Sequence, residues 1–299
     1  MPAAPATTSV IPSDRRAKLL FLFCLLSVLA ILFHKSFDPD EVLFSNDGPL
    51  GAVRSQAGHM WSNLLAVWQD LNWLGTQNPG MPFDVSGLLQ ALCCDSSPDF
   101  GPALFAKIYE PTGVFLLGLS AWFLFRQLRF RPWVCALGGL AAALNTMAFS
   151  AGCWGLAEWP LAWAMNLLAF AALVSPSFRN RTLRAILAGL AVGLGVMEGF
   201  DVGAIFSMFT AAFAFLCVIA TEGASARTLT RGFAVVAIMA VAAVLIAAQT
   251  VSGLIGTQVK GVVGMAQDET TKRQRWDEAT QWSLPKVETF RFVIPGLFG

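Results

Sequence analysis

Asp47 is the acidic residue whose surroundings best suit a catalytic role. It lies in Phe44-Ser45-Asn46-Asp47-Gly48-Pro49, directly before a stretch with helical periodicity. Proline suits the first turn of a helix, where its missing N–H needs no partner, so Asp47 is predicted at a helix N-terminus. A carboxylate held there can take a proton from an acceptor hydroxyl. Aspartate is also a preferred helix cap, worth about 1 kcal/mol, and both roles stay open.

Three further acids border apolar segments. Glu198 and Asp201 flank the short turn after the apolar run 185–197, and Glu158 begins another run. The first run gives roughly 20 Å of helix against a hydrocarbon core of about 30 Å, which predicts a recessed turn. Ionisable groups at such depth line cavities or sites. We therefore predict that Glu158, Glu198 and Asp201 line a cavity; a solvated hairpin tip, and a helix-dipole partner in the case of Glu158, are the alternatives.

Three cations are candidates for binding a phosphate. Arg54 lies in the first long polar segment, and Arg273 and Arg275 follow the last apolar run. Arginine suits bidentate contact with phosphate. Ordinary pairing with neighbouring acids, such as Glu269 with Arg273 at i,i+4, is the alternative.

Metal chemistry has a weak signal in this sequence. The segment Asp38-Pro39-Asp40 has Asp-x-Asp spacing, although its proline and its place beside an apolar segment argue against it. The adjacent pair Cys93-Cys94, with only His34 and His59 as histidines in the chain, does not make a zinc site. Use of a divalent metal stays open.

The composition predicts an all-α polytopic membrane protein. Hydrophobic residues make up 56% and charged residues 13% of the chain, whereas soluble domains carry about 25% charged residues. With a net charge of +1 and no basic patch interleaved with aromatics, nothing indicates nucleic-acid binding. Seven apolar segments are predicted to cross the membrane: 19–33, 111–126, 132–149, 158–175, 184–200, 202–220 and 232–254.

Charge in the connecting segments predicts the topology. Of the 20 Lys and Arg residues, 11 lie before the first span or after the second, fourth and sixth spans. These regions contain only Asp14 and Glu222 among the 19 acids. By the positive-inside tendency they are cytoplasmic, which places residues 34–101 and 255–299 outside. Residues 1–16 are predicted to form a disordered cytoplasmic tail before an uncleaved signal anchor.

Helical periodicity also appears outside the predicted spans. Apolar residues recur at helical spacing from Leu50 to Leu71, which predicts an amphipathic surface helix ending near Gly75. A second short amphipathic helix is predicted over 85–92. The small residues Gly189, Gly193 and Gly195 predict close helix packing, because no strand precedes them as a dinucleotide loop would require.

Several segments resemble the YfhO-like bacterial membrane proteins, and the pattern of spans with a large first outer loop resembles the C-type (GT-C) glycosyltransferase fold. The similar segments, within residues 15–299, are Phe44-Ser45-Asn46-Asp47-Gly48-Pro49-Leu50-Gly51, Trp73-Leu74-Gly75, Gly80-Met81-Pro82, Ala279-Thr280-Gln281-Trp282-Ser283-Leu284-Pro285 and Pro295-Gly296-Leu297-Phe298-Gly299. Members of the family are generally longer. The resemblance thus implies a GT-C-like transmembrane domain over 17–299, truncated relative to a longer protein.

The resemblance also implies a function. Such an enzyme transfers a sugar from a polyprenyl-phosphate donor to a cell-envelope glycan acceptor on the outer face of the bacterial inner membrane. Asp47 would be the catalytic base or a metal-linked carboxylate, and Arg54 or Arg273 and Arg275 would contact the donor phosphate. The rival hypotheses are a transporter or lipid flippase, with Glu198 and Asp201 as a relay, and a non-catalytic scaffold for envelope assembly.

Overall fold

The structure is a computed structural model of the chain. It describes residues 13–43, 50–63, 68–69, 76–77, 83–177, 180–254, 268–281, 283, 285–294 and 297. The chain divides into two compact units, Met1–Ser252 and Gly253–Gly299, and each is described by itself.

Helices build almost all of the described chain. One 3₁₀ turn, His34–Phe37, follows the first helix, and a second, Lys286–Phe292, lies near the end. One short antiparallel pair joins β1 (Trp68–Gln69) to β2 (Thr76–Gln77). The α-helices in chain order are α1 Ser13–Leu32, α2 Leu50–Gln56, α3 Met60–Asn63, α4 Val85–Ser96, α5 Gly101–Gln127, α6 Pro132–Ala143, α7 Thr146–Cys153, α8 Glu158–Val174, α9 Arg181–Glu198, α10 Phe200–Glu222, α11 Ala226–Leu254 and α12 Glu269–Thr280.

The structure supports a helical membrane protein, but with fewer candidate spans than the seven predicted. Each predicted apolar segment is mainly helical, but only α5, α10 and α11 are long and apolar enough to cross a membrane among the described residues. The helices α6 and α7 form a fourth candidate if they make one span with a 44° bend. α8 is too short, and charged residues at the ends of α1 and α9 interrupt their apolar runs. Residues 13–16, predicted to belong to the disordered tail, are helical.

The first surface helix predicted from Leu50 to Leu71 is wrong beyond its first turns. α2 ends at Gln56, and Gly58 adopts a left-handed φ of 85° that breaks the helix. A new helix, α3, then begins because the Asp95 carboxylate accepts hydrogen bonds from the Gly58, Met60 and Trp61 N–H groups at 2.9–3.0 Å. Strand β1 lies where the predicted helix would continue. The second predicted helix is confirmed as α4 and extends to Ser96.

Helix α5 is central to the packing of the first unit. It contacts α1, α4, α6 and α8. On one side, Phe21 of α1 stacks on Trp122 of α5 with ring centroids 5.7 Å apart. A second core joins α8, α9, α10 and α11 through small side chains with one methionine, Met239. The N-terminal part of α5, which contacts α4, carries Lys107, Tyr109 and Glu110.

The predicted close packing at the α9 glycines is confirmed. A methyl group added at Gly189 would lie 2.3 Å from the Met239 carbonyl oxygen of α11, and one at Gly193 would lie 2.2 Å from an Ile246 methyl. At Gly195 the nearest atom is the Met165 Cβ at 3.3 Å. α9 therefore approaches α11 at backbone distance, which only glycine permits.

Replacing Gly189 by alanine should separate α9 from α11. The contact is with backbone, which cannot rotate away as a side chain does, so overpacking should lower the free energy of unfolding by about 2 kcal/mol. Gly51→Ala is the matched control, because Gly51 lies in a helix with no atom near its added methyl, and alanine is favoured there. Denaturant titration in detergent compares the two variants; equal stabilities would contradict the packing argument.

Candidate functional site: a buried carboxyl cluster beneath α4

A carboxylate 113 residues further along the chain holds the first turn of α4. Glu198 Oε1 accepts hydrogen bonds from the Val85 N–H at 2.5 Å and the Ser86 N–H at 3.2 Å. Its Oε2 accepts a hydrogen bond from the Ser86 hydroxyl at 2.5 Å. Glu198 is only 8% exposed. The three donors form one binding site for a carboxylate at the start of a helix, where negative charge also complements the helix dipole.

A tight turn between α9 and α10 brings Glu198 to this position. Glu198 is the last residue of α9, and Gly199 in extended conformation leads directly into α10. Gly203 of α10 packs so close to Gly195 of α9 that an added methyl would lie 2.2 Å from its carbonyl oxygen. The two helices therefore leave no loop between them, and the Glu198 side chain extends towards α4.

Asp84 supplies a second carboxyl group at the same helix end. Its Oδ1 accepts the Gly87 N–H at 2.6 Å, which makes it the N-cap of α4. Burial raises the pKa of Asp84 from 3.8 to about 6, although the Gly87 hydrogen bond acts in the opposite direction. When both are ionised, the negative charges of Asp84 and Glu198 repel each other. Two acids thus share one helix terminus with little water around them.

Asp84→Asn should remove a pH-dependent cost. Because the folded pKa lies above its ordinary value of 3.8, ionisation of Asp84 opposes folding: this cost is absent below about pH 4 and complete above about pH 6. Asparagine caps helices as well as aspartate. The variant should therefore gain stability relative to the natural protein as pH rises from 4 to 7. The other titratable groups that face the site are the same in the two proteins: Glu198, Tyr109, Glu110 and Glu158. Unfolding in detergent across this range measures the difference, and a pH-independent difference would contradict the assignment.

Helix α5 extends the cluster beneath α4. The Tyr109 hydroxyl and Ser86 Oγ lie 2.7 Å apart, so a hydrogen-bonded chain runs from Glu198 through Ser86 to Tyr109. The next residue, Glu110, is 2% exposed, and its Oε2 has no hydrogen-bond partner among the described residues. Glu158, at the start of α8, lies within electrostatic reach of Tyr109 and Glu110. The cluster therefore joins α4, α5, α8 and α9.

Lys107, one turn earlier on α5, fixes the segment that follows α1. Its Nζ donates hydrogen bonds to the carbonyl oxygens of Ser36 at 3.1 Å, of Glu41 at 2.6 Å, and of Asp38. The Ser36 hydroxyl in turn donates to the Lys107 carbonyl oxygen at 3.1 Å. Lys107 is 9% exposed. This lysine therefore ties the start of the first polar segment to the same end of α5 as the carboxyl cluster.

The structure distributes the predicted acids unevenly. Glu198 and Glu158 both lie within electrostatic reach of Tyr109, and so belong to one cluster. Asp201 is exposed, and the hydrogen bond described for it is local: its Oδ1 accepts the Val202 N–H at 2.8 Å. Asp47 lies outside the described residues, in 44–49. Its neighbour α2 does begin at Leu50, where a helix was expected.

The predicted phosphate-binding arginines lie in different parts of the chain. Arg54 is exposed in the last turn of α2. Arg273 and Arg275 are exposed on α12 in the second unit. The ion pair described on α12 joins Lys272 to Glu269 at 2.8 Å. Arg54 therefore belongs to the first unit, and Arg273 and Arg275 belong to the second.

Four residues at or next to the cluster were not singled out from the sequence: Asp84, Lys107, Tyr109 and Glu110. Tyr109 is the chain's single tyrosine. Lys107 and Glu110 directly precede the predicted second span, which began at 111, yet the helix runs on from Gly101. Charged residues in an otherwise apolar helix are the signal that could have revealed them.

The chemistry of the cluster allows two roles: it can hold a proton, or it can fix the first turn of α4. Glu198 accepts hydrogen bonds from three donors, which suits a structural anchor. Glu110 Oε2 has no partner among the described residues and can still accept a hydrogen bond. Within the described ranges, no group of three His, Cys, Asp or Glu residues could hold a metal ion. Asp38 and Asp40 are both exposed.

Comparisons with known proteins found no relative of this chain. No family model matches the chain, and no curated protein or solved structure matches it significantly.

Proposed function

We propose that the chain is a membrane glycosyltransferase that takes a sugar from a polyprenyl-phosphate donor and transfers it to a cell-envelope glycan. The observation that carries the proposal is the buried carboxyl cluster at one end of the helix bundle, beneath α4. A polyprenyl donor has an apolar chain and a polar head group. Such a donor needs an apolar helical bundle for its chain and a polar site at one end of the bundle for its head group. The helices of this chain and the carboxyl cluster beneath α4 meet these two needs.

The proposal includes the finer topology. Seven spans would place residues 34–101 and 255–299 on the outer face of the bacterial inner membrane, with the N-terminus in the cytoplasm. The polar segment fixed by Lys107 and Glu198 would then cover the outer end of the bundle. Asp47, in the same segment, would act as general base on the acceptor hydroxyl.

The remaining residues take different roles within this proposal. Glu198 anchors α4, since all its described contacts are with the first turn of that helix. Glu158 lies at the same end of the bundle and would orient sugar hydroxyls through its carboxylate oxygens. Glu110 is 2% exposed and so is not placed in contact with the sugar. Arg54, or Arg273 and Arg275, would contact the donor phosphate. Asp201, being exposed, has no part in the buried cluster.

The Asp47 role has a direct test. Asp47→Asn keeps a side chain that can cap a helix but removes the base, so transfer should fall by at least about a hundredfold. Purified chain in proteoliposomes is supplied with polyprenyl phosphates carrying tritiated glucose, mannose or galactose and with isolated envelope glycan. Labelled glycan is then counted, and thermal unfolding checks that the variant is intact.

The outcomes separate the hypotheses. Full transfer by Asp47→Asn would refute the base role and leave helix capping as the role of Asp47. If the natural chain transfers no labelled sugar and is not labelled by a photoactivatable polyprenyl phosphate, the enzyme proposal fails.

Transport is the second candidate, and Glu110 is the observation that favours it. A buried carboxyl group with an oxygen free of described partners is suited to carrying a proton across a bundle. The expected signature is substrate uptake driven by a proton gradient, abolished by Glu110→Gln and unaffected by Asp47→Asn. Gradient-independent sugar transfer would exclude it.

A further inference from the structure

The ends of α9, α10 and α11 form a charged cavity, which lies at the opposite end of α9 from Glu198 of the carboxyl cluster. Its volume is about 430 Å³, and its polar lining consists of Arg181, Thr182, Glu222 and Arg231. Glu222, at the end of α10, forms ion pairs with Arg181 of α9 and, at 2.7 Å, with Arg231 of α11. Two guanidinium groups thus share a single carboxylate, which leaves one positive charge in excess.

The excess charge faces outward. The side chains of Arg181 and Arg231 are 55% and 47% exposed, whereas that of Glu222 is 17% exposed. Each guanidinium has five N–H donors, and the described ion pairs use one nitrogen of each on Glu222. Donors of both arginines therefore remain available at the mouth of the cavity.

The first N–H groups of α9 do not form this site. The Asn180 side chain already accepts hydrogen bonds from the Thr182 and Leu183 N–H groups, at 2.9 and 3.4 Å. Any anion at the mouth would therefore be bound by the arginine side chains rather than by the helix terminus.

The floor of the cavity is apolar and runs along the helices. Val218 lies one turn before Glu222 on α10, and Ala234, Val235 and Ile238 follow Arg231 on α11. From Arg231 to Ile238 this strip extends roughly 10 Å at the helical rise per residue. A ligand that fills the cavity would meet cations at one end and hydrocarbon along the rest.

The cavity also lies where a candidate membrane segment ends. α10 and α11 are both long and apolar enough to span, and only residues 223–225 join them. The charged mouth is thus at the level where these two helices leave the membrane, with the apolar strip leading inward. Anionic lipid head groups attract basic side chains at this level.

We propose that the cavity between α9, α10 and α11 binds an anionic phospholipid, with its phosphate at Arg181 and Arg231 and its acyl chain along the Val218–Ile238 strip. Arginine suits phosphate through paired, charge-assisted hydrogen bonds. Free phosphate would use the mouth alone and leave the apolar strip in contact with other lipid. The site is independent of the proposed glycosyl transfer.

Photolabelling in nanodiscs tests the proposal. The purified chain is placed in phosphatidylcholine nanodiscs with a minor fraction of phosphatidylglycerol that carries a photoactivatable acyl chain, and mass spectrometry locates the label. Label is expected on the cavity residues of α10 and α11. Arg181→Gln with Arg231→Gln should reduce it about tenfold. Arg129→Gln with Arg131→Gln, an equal loss of two positive charges in the exposed segment before α6, should leave it unchanged.

Glu222→Gln separates binding from a purely structural role. Removing this carboxylate releases both guanidinium groups, so labelling should rise several-fold if they bind the lipid phosphate. If the three residues serve only as an ion-paired link between helices, Glu222→Gln would lower labelling or leave it unchanged, and the proposal fails. Equal labelling by the corresponding phosphatidylcholine probe, or complete displacement by inorganic phosphate, would also overturn it.

Discussion

Replacing Glu198 by alanine is expected to detach the first turn of α4 from the helix bundle. The variant leaves the Val85 and Ser86 N–H groups and the Ser86 hydroxyl without their acceptor. Hydrogen bonds to charged groups contribute about 1.5–3 kcal/mol each, and buried donors left unsatisfied cost a similar amount. Allowing for water that enters the opened site, the free energy of opening α4 should fall by about 3 kcal/mol.

Two cysteines on α4 report this opening directly. Cys93 and Cys94 are both buried, and so is Cys135 on α6. Pulsed alkylation followed by mass spectrometry should show labelling of Cys93 and Cys94 rising about a hundredfold in Glu198→Ala, if opening and closing are fast relative to labelling. Cys135 should not change, because α6 packs elsewhere. An equal rise at all three would indicate global unfolding instead.

Glu198→Gln is the matched control for this prediction. The glutamine oxygen can still accept the two α4 N–H groups, and its amide can donate to Ser86 Oγ while the serine hydroxyl donates to Tyr109. Most of the docking should survive, with an effect nearer 1 kcal/mol. If alanine and glutamine were equivalent, the hydrogen bonds to Glu198 would not be what holds α4.

The burial of Glu198 illustrates what the sequence can and cannot reveal. A short apolar run followed by an acid in a tight turn predicted a recessed carboxylate, and Glu198 is buried. Its partners were unpredictable, because Val85 precedes it by 113 residues and offers only backbone N–H, which every non-proline residue carries. Periodicity reveals which face of a helix is buried, but not which distant segment covers it.

The first polar segment shows the opposite limit. Apolar spacing from Leu50 to Leu71 fitted one helix, yet the helix breaks at Gly58 and restarts under the Asp95 carboxylate. A side chain 35 residues away from Met60 in the chain outweighs the local periodic pattern. By contrast, α4 follows from local signals alone: its N-cap Asp84 and its apolar spacing are adjacent in sequence.

The apolar helices were the most predictable part of the chain, because hydrocarbon-like composition extends over many residues in each. The number of these helices that cross the membrane was less predictable. α9 has suitable small residues at Gly189 and Gly193 for packing, but its terminal Arg181 and Glu198 shorten the apolar run. The same terminal residues contribute to the two polar sites, so the features that obscure the span are those that give the helix ends their chemistry.

Lys107→Met should release the segment after α1 from α5. The ammonium group has three N–H donors, and three carbonyl oxygens, of Ser36, Asp38 and Glu41, accept them. Methionine fills a similar volume but donates nothing, so these carbonyls lose a charged partner at 1.5–3 kcal/mol for each hydrogen bond. Water can replace part of this, which leaves an expected loss of about 3 kcal/mol in local stability.

Cleavage at Glu41 by a glutamate-specific protease measures that loss. Glu41 is exposed, but its carbonyl oxygen is bound by Lys107, and a protease needs the backbone free and extended in its own site. The cleavage rate should therefore rise about a hundredfold in Lys107→Met. Lys35→Met is the matched control, because Lys35 is exposed in the same segment and its loss changes the net charge equally. Equal rates in the two variants would mean that Lys107 does not hold this segment; a rise in Lys107→Met alone means that the end of α5 fixes the polar segment leading to Asp47.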